Sequence, residues 1–273
     1  MKRLLRNIFI CMVLLPIAIA CQQQPNQWDH GVALYSFNRF PFAEALDKAK
    51  STGVTYVEGF SFHKLGPAFG DSALLTLSDV QIEEMKALLD ERGLRMRSMY
   101  LGNAKTEAAW TTAFEVGQKL GLEFFVCEPD PEDADLLNDL AGRYGIRIAI
   151  HQHAEGRSRY WHPDSVLAVM EGREHFGVCG DLGHWARSGL DPVTCLKTLE
   201  GKLISVHAKD LDGAGSMDAH DVTMGTGVIR YDQVFEELAR QHFDGIVYVE
   251  CEHDWEDNLE SVRAGIDLLT APQ

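Results

Sequence analysis

The chain has 273 residues and a formal net charge of −16, from 41 acidic side chains against 25 Lys and Arg. That surplus speaks against a polyanionic partner such as nucleic acid, whose binding rests largely on neutralising phosphates with cations. None of the six cysteines has CxxC spacing, and a chain of this length needs no disulfide to hold a core, so Cys127, Cys179, Cys195 and Cys251 are expected as buried free thiols.

The N-terminus is read first. Lys2, Arg3 and Arg6 precede an apolar run over 8–20 that is too short to span a bilayer comfortably. The run ends Ala18-Ile19-Ala20-Cys21, small residues before a cysteine as in a bacterial lipobox, with Ala18 in place of the usual Leu. Residues 1–20 are therefore read as a lipoprotein signal peptide, 21–29 as a polar tether and 30–273 as one domain. Lipidation of Cys21 would make the chain an exported lipoprotein at a periplasmic or cell-surface membrane, touching lipid only through that cysteine. Loss of Lys2, Arg3 and Arg6 with the leader takes the formal charge from −16 to −19. A buried apolar first helix is the competing reading; the basic flanks and the lack of a polar face oppose it.

From there strand and helix signals alternate. Short apolar runs at 32–37, 56–60, 95–100, 123–128, 146–151, 176–181, 203–207 and 245–250 have strand length. Amphipathic segments lie between them. Ser78 with Gln81 reads as a capping box before a helix over 80–92, stopped by Gly93; Thr106 caps 107–120, stopped by Gly121. Gly145 follows Tyr144 in the same way, Pro131 and Pro192 suit first helical turns, and 258–269 is the last helix. Eight strands alternating with eight helices over about 250 residues predict a single (β/α)8 TIM barrel. The long loops at 61–77, 154–161 and 209–230 all follow strands, on the face where barrel enzymes keep their chemistry.

Polar residues recur at the same place in successive units. Glu128 ends strand four, His151 and His153 strand five, Asp181 strand six with His184 three residues on, His207 strand seven, and Glu250 with Glu252 strand eight. In a parallel barrel these ends converge on one mouth, and Asp, Glu and His gathered there suit one divalent metal ion, Mn2+, Co2+, Zn2+ or Mg2+. Taken singly, each has a plainer explanation as a hydrogen-bonded or solvated strand end, and Asp181 as the cap of a short turn. It is the recurrence over adjacent strands that points to a site. Cys127 and Cys251 alternate away from it toward the helices, and Cys179 belongs to the layer below Asp181.

Ala-Ile-His-Gln-His (149–153), Gly-Asp-Leu-Gly-His (180–184), Val-His-Ala-Lys-Asp (206–210), Gly-Thr-Gly-Val-Ile (225–229) and Val-Glu-Cys-Glu-His-Asp-Trp (249–255) together resemble the xylose isomerase-like TIM barrels. That superfamily includes sugar isomerases, epimerases and lyases, and the resemblance spans 32–269. It implies metal ligands on strands five to eight: His151 or His153, Asp181, His207 and Glu250. Strand five departs from the family, with histidine where its catalytic Glu stands, and resembles an exported branch carrying Ile-His-Asn-His, in which Glu128 also approaches the metal.

Such a site suits proton abstraction beside a carbonyl. Candidate bases are His153, Glu250, Glu252, His184 and Lys209, the last with a plain alternative as a surface lysine paired with Asp210. His184, Glu58, His63, Trp185 and Trp255 are candidates for holding a carbohydrate substrate; Trp161 also lies near a strand end, and packing is the alternative for each. Gly225-Thr226-Gly227 lacks the context of a phosphate loop and reads as a turn. The expectation is a metal-dependent sugar isomerase or epimerase. A 3-keto-glycoside lyase sharing the same first step, an abasic-DNA hydrolase, and a non-catalytic sugar-binding lipoprotein are the alternatives, with the charge and the lipobox opposing the DNA enzyme.

Overall fold

The computed structural model describes residues 28–102, 104 and 106–271. The expected leader, Cys21 and the expected tether as far as residue 27 lie outside them. Eight parallel strands close on themselves: β1 (Asp29–Ala33), β2 (Tyr56–Phe60), β3 (Arg95–Tyr100), β4 (Phe124–Cys127), β5 (Arg147–Ile150), β6 (Phe176–Asp181), β7 (Leu203–Ala208) and β8 (Ile246–Val249). Each pairs with its sequence neighbour, and Val32 of β1 faces both Val57 of β2 and Val249 of β8, which seals the ring. The fold is the (β/α)8 barrel that strand–helix alternation predicts.

The helices are α1 (Phe42–Ser51), α2 (Asp79–Glu91), α3 (Glu107–Leu120), α4 (Ala134–Tyr144), α5 (Pro163–Met170), α6 (Leu182–Arg187), α7 (Pro192–Thr198), α8 (Tyr231–Arg240) and α9 (Leu259–Thr270). The capping box at Ser78 forms before α2, Thr106 accepts from the amide of Ala109 before α3, and Gly121 and Gly145 take left-handed C-terminal conformations. Pro131 opens a 3-10 turn that leads into α4, and Pro192 begins α7.

Two expectations are corrected. The run over 32–37 is only half strand: Leu34–Phe37 is a 3-10 turn. That turn lets Ser36 receive the amide of Cys251 on Oγ (2.9 Å) and the side-chain amide of Asn258 on its carbonyl (2.6 Å), tying the first unit to the last. These tertiary bonds outweigh the strand preference of the local sequence. The second correction is the count of helices, nine among the described residues instead of eight, because β6 is followed by both α6 and α7.

Side chains alternate along each strand, and the barrel interior holds Phe124, Val126, Ala149, Cys179, Ile204 and Tyr248 in one cluster. Their neighbours, among them Phe125, Cys127, Ile148 and Ile150, belong to the larger core shared with the helices. Counting two residues onward from Val126, Ala149, Cys179 and Tyr248, and from the buried Ser205 that pairs with Cys179, gives Glu128, His151, Asp181, Glu250 and His207. The strand period itself therefore stacks these groups above the apolar interior. Two residues further come His153, Lys209 and Glu252, the next layer toward solvent. Cys127, Cys179, Cys195 and Cys251 are all free and buried.

Candidate metal centre

The strands deliver His151, Asp181, His207 and Glu250 to one point: each offers a donor atom within 4.8 Å of the other three. His151 Nε2 is 3.3 Å from Asp181 Oδ2, and His207 Nδ1 is 3.8 Å from that oxygen and 3.2 Å from Glu250 Oε2. These approaches are poorly aligned for hydrogen bonding. His151 Nε2, Asp181 Oδ2 and His207 Nδ1 are buried without a hydrogen-bond partner. Burying one such atom unpartnered costs roughly 1–3 kcal/mol, so three sharing one focus mark a place built for a ligand. Two imidazoles and two carboxylates at that focus suit a divalent cation.

Asp181 serves two masters. Its Oδ1 caps α6 by accepting from the amide of His184 (2.8 Å), as the short-turn reading expects, and this leaves Oδ2 aimed at the cluster. The other ring nitrogen of each histidine is held by a carboxylate. His207 Nε2 lies 2.7 Å from Glu58 Oε1, and Glu58 in turn accepts from Ser98 Oγ at 2.7 Å. His151 Nδ1 lies 3.0 Å from Glu128 Oε1. Carboxylates on the far nitrogens orient metal-binding imidazoles.

Glu128 therefore sits on the outer side of His151, away from Asp181. It also bonds His153 Nδ1 and accepts from Ser158 Oγ. Of the two strand-five histidines, the geometry puts His151 in the four-donor group. His153 belongs to a neighbouring group with Glu128 and the far nitrogen of His151.

Lys209 is neither a surface residue nor a partner of Asp210. It is 2% exposed, and its Nζ lies 2.6 Å from Glu250 Oε2, 2.8 Å from Glu252 Oε1 and 3.2 Å from Asp181 Oδ2. Its stem runs so close to Gly183 that a β-carbon there would stand 2.3 Å from Lys209 Cγ. Asp210 turns the other way and accepts the amides of Leu211, Gly225, Gly227 and Ile229, at 2.9 to 3.0 Å. This makes Gly225-Thr226-Gly227 a turn, closed by the short ladder of Asp210–Leu211 with Asp221–Val222. A β-carbon on Gly227 would sit 2.2 Å from the carbonyl oxygen of Leu211.

Electrostatics follow from this crowding. Burial opposes the charge on Lys209, yet Asp181, Glu250 and Glu252 outweigh it and hold the ammonium protonated well above its ordinary range, which unsuits it as a base. Burial likewise opposes ionisation of Asp181 and Glu250, and Lys209 foremost keeps both carboxyls well below theirs. Burial disfavours a charged His151, but the carboxylates of Asp181 and Glu128 push it up to about 10. His207 rises too, against burial, beside Cys179, Glu250 and Glu58. Protonated imidazoles here offset a surplus of buried negative charge, as a bound cation would. Glu252 is raised chiefly by burial, with Lys209 pulling the other way.

A cleft of about 170 Å³ opens above the cluster, lined on one side by His151, His153, His184, Glu250 and Glu252 and on the other by Tyr35, Phe60, Phe62 and Tyr100. Glu58 reaches the cleft floor. Burial pushes His184 well below its usual range, so its ring is neutral. Arg187 Nη1 donates to His184 Nδ1 at 3.3 Å; guanidinium has no acceptor, so the ring proton sits on the buried, unpartnered Nε2. Arg187 is fixed by Asp221 Oδ2 at 2.7 Å.

Two predicted substrate contacts fall elsewhere. His63 is stacked on Phe60 at 4.3 Å and bonds the carbonyl of Phe40 through Nε2 at 2.9 Å, a packing role outside the cleft lining. Trp185 is fully buried against Gly180 in the core. Trp255 lines an outer hollow with Tyr35 and Phe62. Tyr35, Phe62, Tyr100, Ser158 and Arg187 escape a reading of strand ends. The inward alternation that places Glu58 also points to Tyr100, two residues past Ser98.

Comparison with known proteins agrees with this architecture. A family model described as xylose isomerase-like TIM barrel matches residues 46–271. Inosose dehydratase of Mesomycoplasma hyopneumoniae (strain 7448) is 27% identical over 145 residues, covering 46% of this chain and 48% of its own. The chain thus spans about half the length of the curated relatives it matches. An uncharacterised protein from Parabacteroides distasonis ATCC 8503 superposes with a TM-score of 0.72 at 29% identity, covering 89% of this chain and 98% of that one. The IolI protein with a bound zinc atom superposes with a TM-score of 0.73 at 18% identity, over 90% and 99%, a likeness of fold. The chain belongs to the xylose isomerase-like TIM barrel family.

Proposed function

We propose that the chain is a metal-dependent enzyme that moves a proton beside a carbonyl of a sugar-like substrate, with His151, Asp181, His207 and Glu250 as ligands of one divalent ion. The observation that carries this reading is the meeting of four donors, three of them buried without a hydrogen bond, at the floor of a cleft. A cation held there supplies positive charge where a carbonyl oxygen gains negative charge as the adjacent C–H proton leaves. Glu252 and His153 flank the cleft and are placed to take that proton; burial of Glu252 makes it a stronger base than an ordinary carboxylate. His184 presents an N–H to a substrate oxygen, and Lys209 keeps Asp181, Glu250 and Glu252 in position.

Returning the proton to a neighbouring carbon or to the opposite face gives isomerisation or epimerisation. Expelling an oxygen substituent from the β carbon gives elimination, and the inosose dehydratase among the relatives favours that outcome. Elemental mass spectrometry is expected to find about one divalent ion per chain, lost in Asp181→Ala and Glu250→Ala. Keto-sugars and keto-cyclitols in deuterium oxide are then expected to gain deuterium beside the carbonyl or to lose water or an alcohol. A wild-type chain that stays metal-free after reconstitution with Mn2+, Co2+, Zn2+ and Mg2+ would remove the reading.

The basic leader and Ala18-Ile19-Ala20-Cys21 support a place outside the cytoplasm, tethered through Cys21. Metabolic labelling with palmitate, present in the wild type and lost in Cys21→Ser, is the check; an unlabelled wild type rejects it.

A further inference from the structure

The cleft above the charged cluster shares an aromatic wall with a second hollow. Tyr35, Phe60 and Phe62 form that wall, and the second hollow, of about 510 Å³, carries Trp255 on its far side. At about 170 Å³ the inner cleft is smaller than the roughly 300–1,000 Å³ usual for small-molecule sites, and the two hollows together fall within that range. We infer that the outer hollow is a subsite for a second ring of the substrate, a sugar or aryl group joined by a glycosidic bond to the sugar in the inner cleft. This rests on the sugar-enzyme reading above.

Three observations bear on the occupant. Phe62 is 54% exposed, one of few large apolar side chains left open to solvent. Tyr35 is held edge-on by three rings, Phe60 at 5.4 Å, Phe62 at 6.2 Å and Trp255 at 5.7 Å, with interplanar angles of 82°, 74° and 83°. One face of Phe60 carries His63, whereas among the described rings none is stacked face to face on Tyr35, Phe62 or Trp255, so the faces open to a ligand ring belong to those three. The rim then adds Asn38, Arg39 and Lys64, hydrogen-bond donors beside the rings. A pyranose has apolar faces and a hydroxyl edge, and an aryl glycoside has the face alone; both match aromatic walls, and the donors add a grip on hydroxyls. Continuity through Tyr35, Phe60 and Phe62 ties this ring to the one over the charged cluster, which a free-standing surface groove would not do.

Calorimetric titration of the full chain with methyl, phenyl and glucosyl derivatives of glucose, galactose and xylose tests the inference. For at least one sugar, the phenyl or glucosyl derivative is expected to bind about tenfold more tightly than the methyl one. That ratio should fall to about one in Trp255→Ala, which removes a side chain that lines the outer hollow and not the inner cleft, and should shrink in Phe62→Leu. A larger gain for phenyl assigns an aryl occupant; a larger gain for glucosyl assigns a second sugar. Equal binding of all three derivatives, no binding of any, or a ratio untouched by Trp255→Ala overturns the subsite. Metal content and deuterium exchange with small keto-sugars do not involve the outer hollow, so they report the catalytic reading separately.

Discussion

The two walls of the barrel mouth are built on opposite principles. The wall from β5 to β8 is charged, buried and mutually braced: Lys209 alone meets three carboxylates. The wall from β1 to β3 is aromatic, and its outermost ring, Phe62, stands in solvent. The charged wall holds a fixed constellation at a cost in desolvation that only mutual pairing and a ligand offset. The aromatic wall carries no such charge, and in the proposed reading it receives the rings of the substrate while the charged wall carries the chemistry.

The largest expected effect comes from breaking the charged wall at its centre. Asp181→Asn keeps an oxygen to cap α6 and removes the anionic donor, so the barrel should fold while bound metal is lost. Turnover is expected to fall by about 10³-fold or more, of the order seen when a main electrostatic stabiliser is removed. A variant that keeps both its metal and its rate would show that Asp181 is a cap only.

Next in size is Lys209→Met. It leaves Asp181, Glu250 and Glu252 facing one another without their cation, and removing one partner of a buried ion pair costs roughly 3–5 kcal/mol. Urea denaturation of metal-free protein is expected to show that loss, and saturating divalent cation should restore much of it by binding the folded state. An unchanged midpoint without metal would mean that the wall does not depend on its ammonium.

The contrast between the walls also explains what the sequence made legible. Strand-end residues follow the period of two, so Glu128, His151, Asp181, His207 and Glu250 announce themselves after apolar runs, and the barrel follows from the alternation of strands and helices. Of the aromatic wall, Phe60 and Tyr100 end β2 and β3, but Tyr35 lies in the 3-10 turn of 34–37 and Phe62 in the loop after β2, where tertiary bonds such as Ser36 to Cys251 set the path and no period exists to read. His63 stands in the same loop, where sequence leaves a sugar contact and a packing role equally open and the stacking on Phe60 supplies the second. The local sequence of Lys209 does not reveal its role, because its partners Asp181, Glu250 and Glu252 come from the ends of β6 and β8, distant in sequence.

His63 sharpens the comparison from behind the aromatic wall. Burial, partly offset by its bond to Phe40, lowers its pKa from 6.5 to about 4. The unfolded chain binds the proton more readily, so stability from the neutral ring is full above pH 6.5 and drains away as pH falls toward 4. The contribution lost is up to about 3 kcal/mol. Denaturation at pH 7 and pH 4.5 of the wild type and of His63→Gln, which cannot titrate, should diverge in that direction. Parallel pH slopes would mean that the ring stays solvated.

The smallest effect expected belongs to Arg187, behind the charged wall. It touches no cleft surface, yet its donation to His184 Nδ1 decides which nitrogen carries the proton, and Asp221 decides where Arg187 points. In Arg187→Met the neutral ring is free to place its proton on either nitrogen, and only the form with Nε2–H donates into the cleft. If both forms are comparably populated, substrate binding weakens by a few-fold; if the ring reverses its preference, by about tenfold, one neutral hydrogen bond. The change should appear in KM more than in kcat if, as proposed, His184 holds substrate and does not move its proton. Asp221→Asn should give a smaller shift of the same kind. Nitrogen-15 chemical shifts of His184 in the wild type report the tautomer directly, and a proton found on Nδ1 would sever Arg187 from the site.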